Sequence, residues 1–141
     1  MQATYLVHPS SNINQMADVD KPGVRIVAKA RSAYDLWLTE NIKHAEIIRT
    51  KTIEDSFNEF CDKKYEVLAG LKPKLLEEAD RLEGSRLLSG SFTVIGQSIG
   101  IKKGLAEAAE FVDLVVREAI DQGLVDSWIK SYGVEGKLSS S

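Results

Sequence analysis

Three times between residues 24 and 73, a short run rich in apolar and β-branched side chains gives way within a few positions to a helix start. Val24-Arg25-Ile26-Val27-Ala28 leads to Ser32, with Asp35 three residues further on, a pair spaced like a capping box. Residues 45–49 lead to Thr52 and Asp55 at the same spacing, and residues 65–69 lead through Gly70-Leu71-Lys72 to Pro73, suited to a first helical turn. Short apolar runs bounded in this way read as buried strands. Parallel neighbours cannot be joined by a hairpin, so the chain must cross over through a helix after each one. The pattern therefore predicts an α/β fold, a mostly parallel sheet flanked by helices on both faces.

The flanking segments fit the same scheme. Residues 3–7 read as a strand, broken by His8-Pro9-Ser10-Ser11-Asn12. A helical turn is expected near residues 14–19, and Asp20-Lys21-Pro22-Gly23 is a turn signal. Helical spacing predicts that the first helix buries Ala33, Leu36 and Trp37. The second is expected to bury Ile53, Phe57, Phe60 and Cys61, and the third Leu75, Leu76, Ala79 and Leu82. Three β-like stretches follow, at residues 86–88, 92–95 and 98–101. The last third reads as helical over 105–121 and 124–132, broken at Gly123 and closed by a polar, serine-rich tail. The 141 residues suffice for one domain with its own core, and residues 1–141 are expected to form one.

Composition excludes several functions. With 18 Lys and Arg against 21 Asp and Glu, scattered along the chain, there is no clustered basic footprint for duplex nucleic acid. Lys102 and Lys103, beside Gly104, read as a solvated turn. The single cysteine, Cys61, permits no intrachain disulfide and is expected to be a buried thiol against Phe57 and Phe60. His8, His44 and Cys61 lie too far apart for zinc-ligand spacing, and His44 is expected at the surface or at a cap. The glycine-rich residues 96–104 do not match a phosphate-binding loop, no Gly-x-Ser-x-Gly elbow occurs, and Ser91 and Ser98 read as turn-satisfying serines. Glu77, Glu78, Glu107 and Glu110 are expected on solvated helix faces, leaving no acid/base pair. No metal, cofactor or catalytic residue is thus expected. Residues 1–8 carry neither a signal-peptide pattern nor the start of a membrane span, so as written the chain is expected to stay where it is made.

Binding at the carboxyl ends of the strands remains. Open parallel sheets place ligands there, beside helix N-termini whose free N–H groups and dipole favour anions. Lys29, Ala30, Arg31 and Ser32 lie just ahead of such a helix, and the Arg31 guanidinium suits bidentate capture of a carboxylate. The same residues also describe a capped helix with two solvated basic side chains. Gly70, Leu71 and Lys72 occupy the equivalent loop after a later strand.

The order of segments also carries a resemblance. Ala3-Thr4-Tyr5-Leu6-Val7, residues 17–26, Ser32-Ala33-Tyr34-Asp35-Leu36-Trp37-Leu38, residues 68–73, residues 92–104 and the ending from Gly123 resemble family 3 extracellular solute-binding proteins of ABC transporters, covering nearly the whole chain. That resemblance implies a type II periplasmic-binding lobe with the C-terminal helices, the N-terminal lobe being absent. Residues 3–7 and 92–101 would be hinge-like strands and residues 105–132 the C-terminal helices. It implies a small polar solute, an amino acid or small carboxylate, held by Lys29, Ala30, Arg31, Ser32, Ala33, Gly70, Lys72 and Gln97. A membrane permease would be a partner, and the periplasm the location, if the chain derives from a full-length receptor. Gly70 departs from the pattern, because amino-acid binders usually place there the acid that holds the ligand's ammonium.

Some proteins resembling this family are dehydratases, but no acid/base pair is available here. The competing reading is a structural or regulatory remnant acting as a homodimeric module without a ligand. Leu105, Ala108, Ala109, Phe111, Val112, Val115, Val116, Ala119 and Ile120 spread over about half the circumference of one helix at about 100° per residue. Such a face predicts a homodimer through the C-terminal helices.

Overall fold

β1 (Gln2–Val7) is the pivot of a six-stranded sheet in the computed structural model, which describes residues 1–134 and 138–140. On one side β1 pairs antiparallel with β4 (Val67–Leu71), and on the other with the short β5 (Arg86–Leu87) and β6 (Thr93–Val94). β4 pairs in parallel with β2 (Arg25–Lys29), and β2 in parallel with β3 (Glu46–Thr50). Every strand except β1 therefore points the same way, as the expected mostly parallel sheet requires.

Alternation along the strands divides the core into two faces. Ala3, Tyr5, Val7, Ile26, Ala28, Val67 and Ala69 pack on one side with Tyr34 and Leu38 of α1 (Ala33–Asn41). Leu6, Val27 and Leu68 pack on the other with Phe57 and Phe60 of α2 (Ile53–Asp62) and Leu75 of α3 (Lys72–Arg81). Phe92 seals the first face, stacked on Tyr5 with ring centroids 4.4 Å apart and touching Trp37 at 5.0 Å.

The helix faces differ from the spacing-based expectation. α1 buries Tyr34, Asp35 and Leu38, while Leu36 is 61% exposed and Ala33 is exposed. The hydrogen bonds of Asp35, described below, turn that side of the helix inward. α2 buries Ser56 with Phe57 and Phe60, Ile53 is exposed, and Cys61 is only partly buried. α3 buries Leu75 and Glu78 and leaves Leu76 exposed, so Glu78 is not on a solvated face. His8 is also buried, its ring edge-on to Phe60, and burial holds its pKa below the usual imidazole range.

Strands β2, β3 and β4 begin one or two residues later than the apolar runs do, and carboxylates explain two of the three starts. Asp20 accepts the amides of Lys43, His44 and Ala45 at 2.7–3.1 Å, so the chain joins the ladder only at Glu46. Glu66 accepts the Arg25 amide at 2.8 Å and grips its guanidinium at 2.6 Å, fixing the start of β2 beside β4.

The chain divides into two compact units, Gln2–Ile95 and Gly96–Ser141, the latter with Met1. In the second, α4 (Ala106–Asp121) and α5 (Leu124–Ser131) meet at Gly123, whose φ of 69° is left-handed and ends α4 without side-chain strain. Neither helix has a buried residue. Residues 98–101 form no strand: Gly96 and Gly100 weaken that run and Ile99 is 64% exposed. The closing polar tail lies partly outside the described residues. No helix among the described residues is long and apolar enough to cross a membrane.

Desolvation works against ionising Asp20, but the amides of Ala45, His44 and Lys43 outweigh it and hold the carboxyl below its usual range. A depressed folded-state pKa stabilises fully above the unfolded value of about 4 and is lost as pH falls through the folded one. Asp20→Ala is therefore expected to cost about 2 kcal/mol at pH 7 and much less at pH 3, measured by urea unfolding at the two pH values.

Candidate functional site

Because β2, β3 and β4 are adjacent and parallel, the starts of α1, α2 and α3 meet at one edge of the sheet. Each start is finished differently. At α1, the Ser32 hydroxyl accepts the Asp35 amide at 3.1 Å. The carboxylate does not complete a capping box, since it reaches back to the Arg31 amide at 2.8 Å instead. Arg31 is consequently held in the left-handed region at φ 61°, and the Ala30 amide donates to Thr50 O at 2.9 Å, tying the loop to the end of β3. The Ser32 amide donates to Lys29 O at 3.3 Å and the Leu36 amide to Ser32 O at 3.1 Å. That leaves the amides of Ala33 and Tyr34 as the first-turn donors of α1 with no acceptor among the described residues.

Asp35 holds this loop in place. It is buried, and its other oxygen accepts from Arg49 Nε at 2.8 Å while Arg49 Nη2 donates to Thr39 Oγ1 at 2.7 Å. Its charge is thus neutralised by β3. Tyr34 is buried, and burial raises the pKa of its hydroxyl.

At α2, Thr52 and Asp55 form a complete capping box that satisfies their own two amides, and the Ile53 and Glu54 amides, like those of Ala33 and Tyr34, find no acceptor among the described residues. α3 has no side-chain cap. Gly70, just before it, is buried, and a Cβ there would lie 3.0 Å from Leu75 Cδ2, so packing alone accounts for the glycine. Lys72 Nζ contacts Gln2 Oε1 at 3.4 Å.

Between these elements lies a cleft of about 50 Å³ whose lining includes Tyr34, Ile53, Ser56, Gly70, Lys74 and Glu78. Glu78 is 1% exposed. Its Oε2 accepts from Arg81 Nη1 at 2.6 Å, and Arg81 also pairs with Glu54 and lies over the Phe57 ring. Its Oε1 is 3.0 Å from Lys74 Nζ, but the angle is not that of a hydrogen bond and no other donor reaches it.

No family model matches the chain, and no curated protein matches its sequence. Solved structures do match. A mutant of ArgBP from T. maritima superposes with a TM-score of 0.72 at 16% identity, over 95% of this chain and 58% of that one. An amino acid ABC transporter substrate-binding protein from Streptococcus pneumoniae, bound to L-arginine, gives 0.67 at 17% identity, over 92% and 55%. An ancestral amino acid-binding protein, a precursor of cyclohexadienyl dehydratase, gives 0.70 at 18% identity, over 92% and 56%. The chain has the periplasmic-binding-protein-like fold. It spans somewhat more than half the length of the proteins that share this fold with it.

Of the residues singled out from the sequence, Lys29, Ala30, Arg31, Ser32 and Ala33 form the loop and start of α1, and Gly70 and Lys72 lie at the same edge one strand away. Gly70 has no side chain to offer and its backbone is covered. Gln97 belongs to the other compact unit, where it is exposed. Sequence reasoning missed Asp35 as the residue that positions the loop, Arg49 as its counter-ion, and the buried Glu78. The spacing Lys74, Glu78, Arg81 was the available signal for the last, since it puts three charges on one stripe of α3.

Asp35→Asn removes the charge that organises Arg31 and Arg49. It is expected to cost about 2 kcal/mol in urea unfolding, with faster amide hydrogen exchange at Arg31 as the local signature.

Proposed function

We propose that the Gln2–Ile95 unit binds a small polar solute without transforming it, seating a carboxylate at the start of α1. The observation that carries this reading is the pair of unsatisfied amides at Ala33 and Tyr34, presented by a loop whose backbone amides at Ala30, Arg31 and Ser32 are all committed. Helix polarity favours an anion there. The exposed Arg31 side chain, which makes no ion pair among the described residues, stands beside it, with Lys29 on the same loop. Lys72 adds positive charge one strand away. Structures sharing the fold include amino acid-binding proteins, which supports a solute of that general kind. They also include an ancestral cyclohexadienyl dehydratase, but nothing at this edge supplies an uncommitted acid/base pair.

A carboxylate ligand is expected to raise the melting temperature of the intact chain, with about 2.7 kcal/mol of added stability at a hundredfold excess over Kd. Screening short monocarboxylates, dicarboxylates and amino acids by thermal shift checks this. Arg31→Ala is expected to weaken the best of them roughly tenfold; unchanged melting across the panel refutes the reading.

One observation favours a second reading, a homodimeric interaction module. On α4 and α5, Phe111, Leu114, Val115, Leu124 and Trp128, with Tyr132 just after α5, are all at least 40% exposed, an apolar surface of the kind that marks protein contacts. Sedimentation velocity at micromolar concentration is then expected to give a dimer that Trp128→Ser returns to monomer. A monomer throughout excludes it.

A further inference from the structure

We infer that the cleft lined by Glu78 receives the cationic end of the same solute, so that the ligand is an extended zwitterion of the ω-aminocarboxylate class. The carboxylate end rests on the reading above; the cleft stands on separate observations.

The carboxylates along the starts of α1, α2 and α3 are committed elsewhere. Asp35 serves the Arg31 amide and Arg49, Asp55 caps α2, Glu54 holds Arg81, and Glu77 holds Lys74. Position 70, beside the α1 loop, is a glycine packed on Leu75. A ligand ammonium close to its own carboxylate, as in an α-amino acid, finds no counter-ion there.

Glu78 is the exception. It lies six residues into α3, about 9 Å along the axis from the start of the helix, and is a buried part of the cleft's lining. A carboxylate can accept about four hydrogen bonds. This one receives a well-formed bond only at Oε2, from Arg81, and Oε1 is left with the off-angle contact to Lys74. Ile53, Leu68, Leu71 and Leu75 line it with apolar surface, and the Ser56 hydroxyl in the same lining is committed to Thr50 and Thr52. About 50 Å³ is room for little more than one ammonium group, given that a water takes about 30 Å³. Methylene surface leading to a buried carboxylate is the complement of an alkylammonium.

Lys74 already acts as such a group. Its ammonium reaches Glu78 Oε1, yet its side chain is 38% exposed and Glu77 is a second partner at 3.2 Å, so a ligand ammonium can displace it without leaving it unpaired. Tyr34 joins the two ends: it lines the cleft, and its amide is one of the two free donors at the start of α1.

Calorimetric titration of the intact chain with 5-aminopentanoate, pentanoate, butylammonium and alanine, repeated on Lys74→Met and Glu78→Gln, tests the assignment. The expected result is that 5-aminopentanoate binds roughly tenfold tighter than pentanoate or alanine. The margin should widen in Lys74→Met and vanish in Glu78→Gln. Should Glu78→Gln not fold, the widening in Lys74→Met decides. Equal affinity for pentanoate and 5-aminopentanoate in both the native chain and Lys74→Met overturns the cleft and leaves the α1 carboxylate seat intact. Binding of butylammonium that depends on Glu78, without binding of pentanoate, keeps the cleft and overturns the α1 seat; binding of none of the four overturns both.

Discussion

Parallel pairing among β2, β3 and β4 is the constraint from which the rest of this molecule follows. A strand that must lie beside a parallel neighbour cannot turn back directly, so the chain leaves each carboxyl end through a helix and returns beneath or above the sheet. Three strands therefore deliver three helix starts to one edge, with their unpaired amides facing the same way. The antiparallel β1 completes the layer without adding a helix start to that edge, since its own carboxyl end lies opposite.

What distinguishes the three starts is how the chain ahead of each is held. α2 carries the Thr52–Asp55 capping box, and α3, without a side-chain cap, follows a covered glycine and has a proline in its first turn. All three starts keep first-turn amides free, and what sets α1 apart is that Arg31, ahead of its cap, is fixed in the left-handed region by Asp35, itself held by Arg49 of β3. Asp35 gives one oxygen to the Arg31 amide and the other to Arg49, so the Ala33 and Tyr34 amides are presented behind a loop whose backbone donors at Ala30, Arg31 and Ser32 are all committed. A rigid loop with free donors is a preorganised anion seat, since little ordering remains to be done when a ligand arrives.

Much of this architecture was legible from residue order. The β-branched run at residues 24–28, the Ser32 cap and the Thr52/Asp55 pair located the strands and helix starts to within one or two positions, because periodicity and capping are local properties. The faces of α1 and α3 were not legible in the same way. Apolar spacing pointed to Leu36 and Leu76, whereas Asp35 and Glu78 are the buried residues. A buried carboxylate is favourable only when cations from elsewhere meet it, and Arg49, fourteen residues from Asp35, is a partner that no helical period reveals. The run at residues 98–101 failed for a related reason: β-like composition makes no strand without a neighbour to complete its ladder.

Asp20 has a bearing on the binding edge although it lies at the far end of the strands. By gripping three successive amides ahead of β3, it sets the point from which that strand departs relative to β2. Each residue of slippage there would carry Thr50 about 3.3 Å past Lys29, break the bond from Ala30, and skew the cradle around Arg31. The geometry at the finishing line is thus calibrated from the starting blocks, and a lengthened turn between α1 and β3 would detune recognition without touching a single residue that meets the solute.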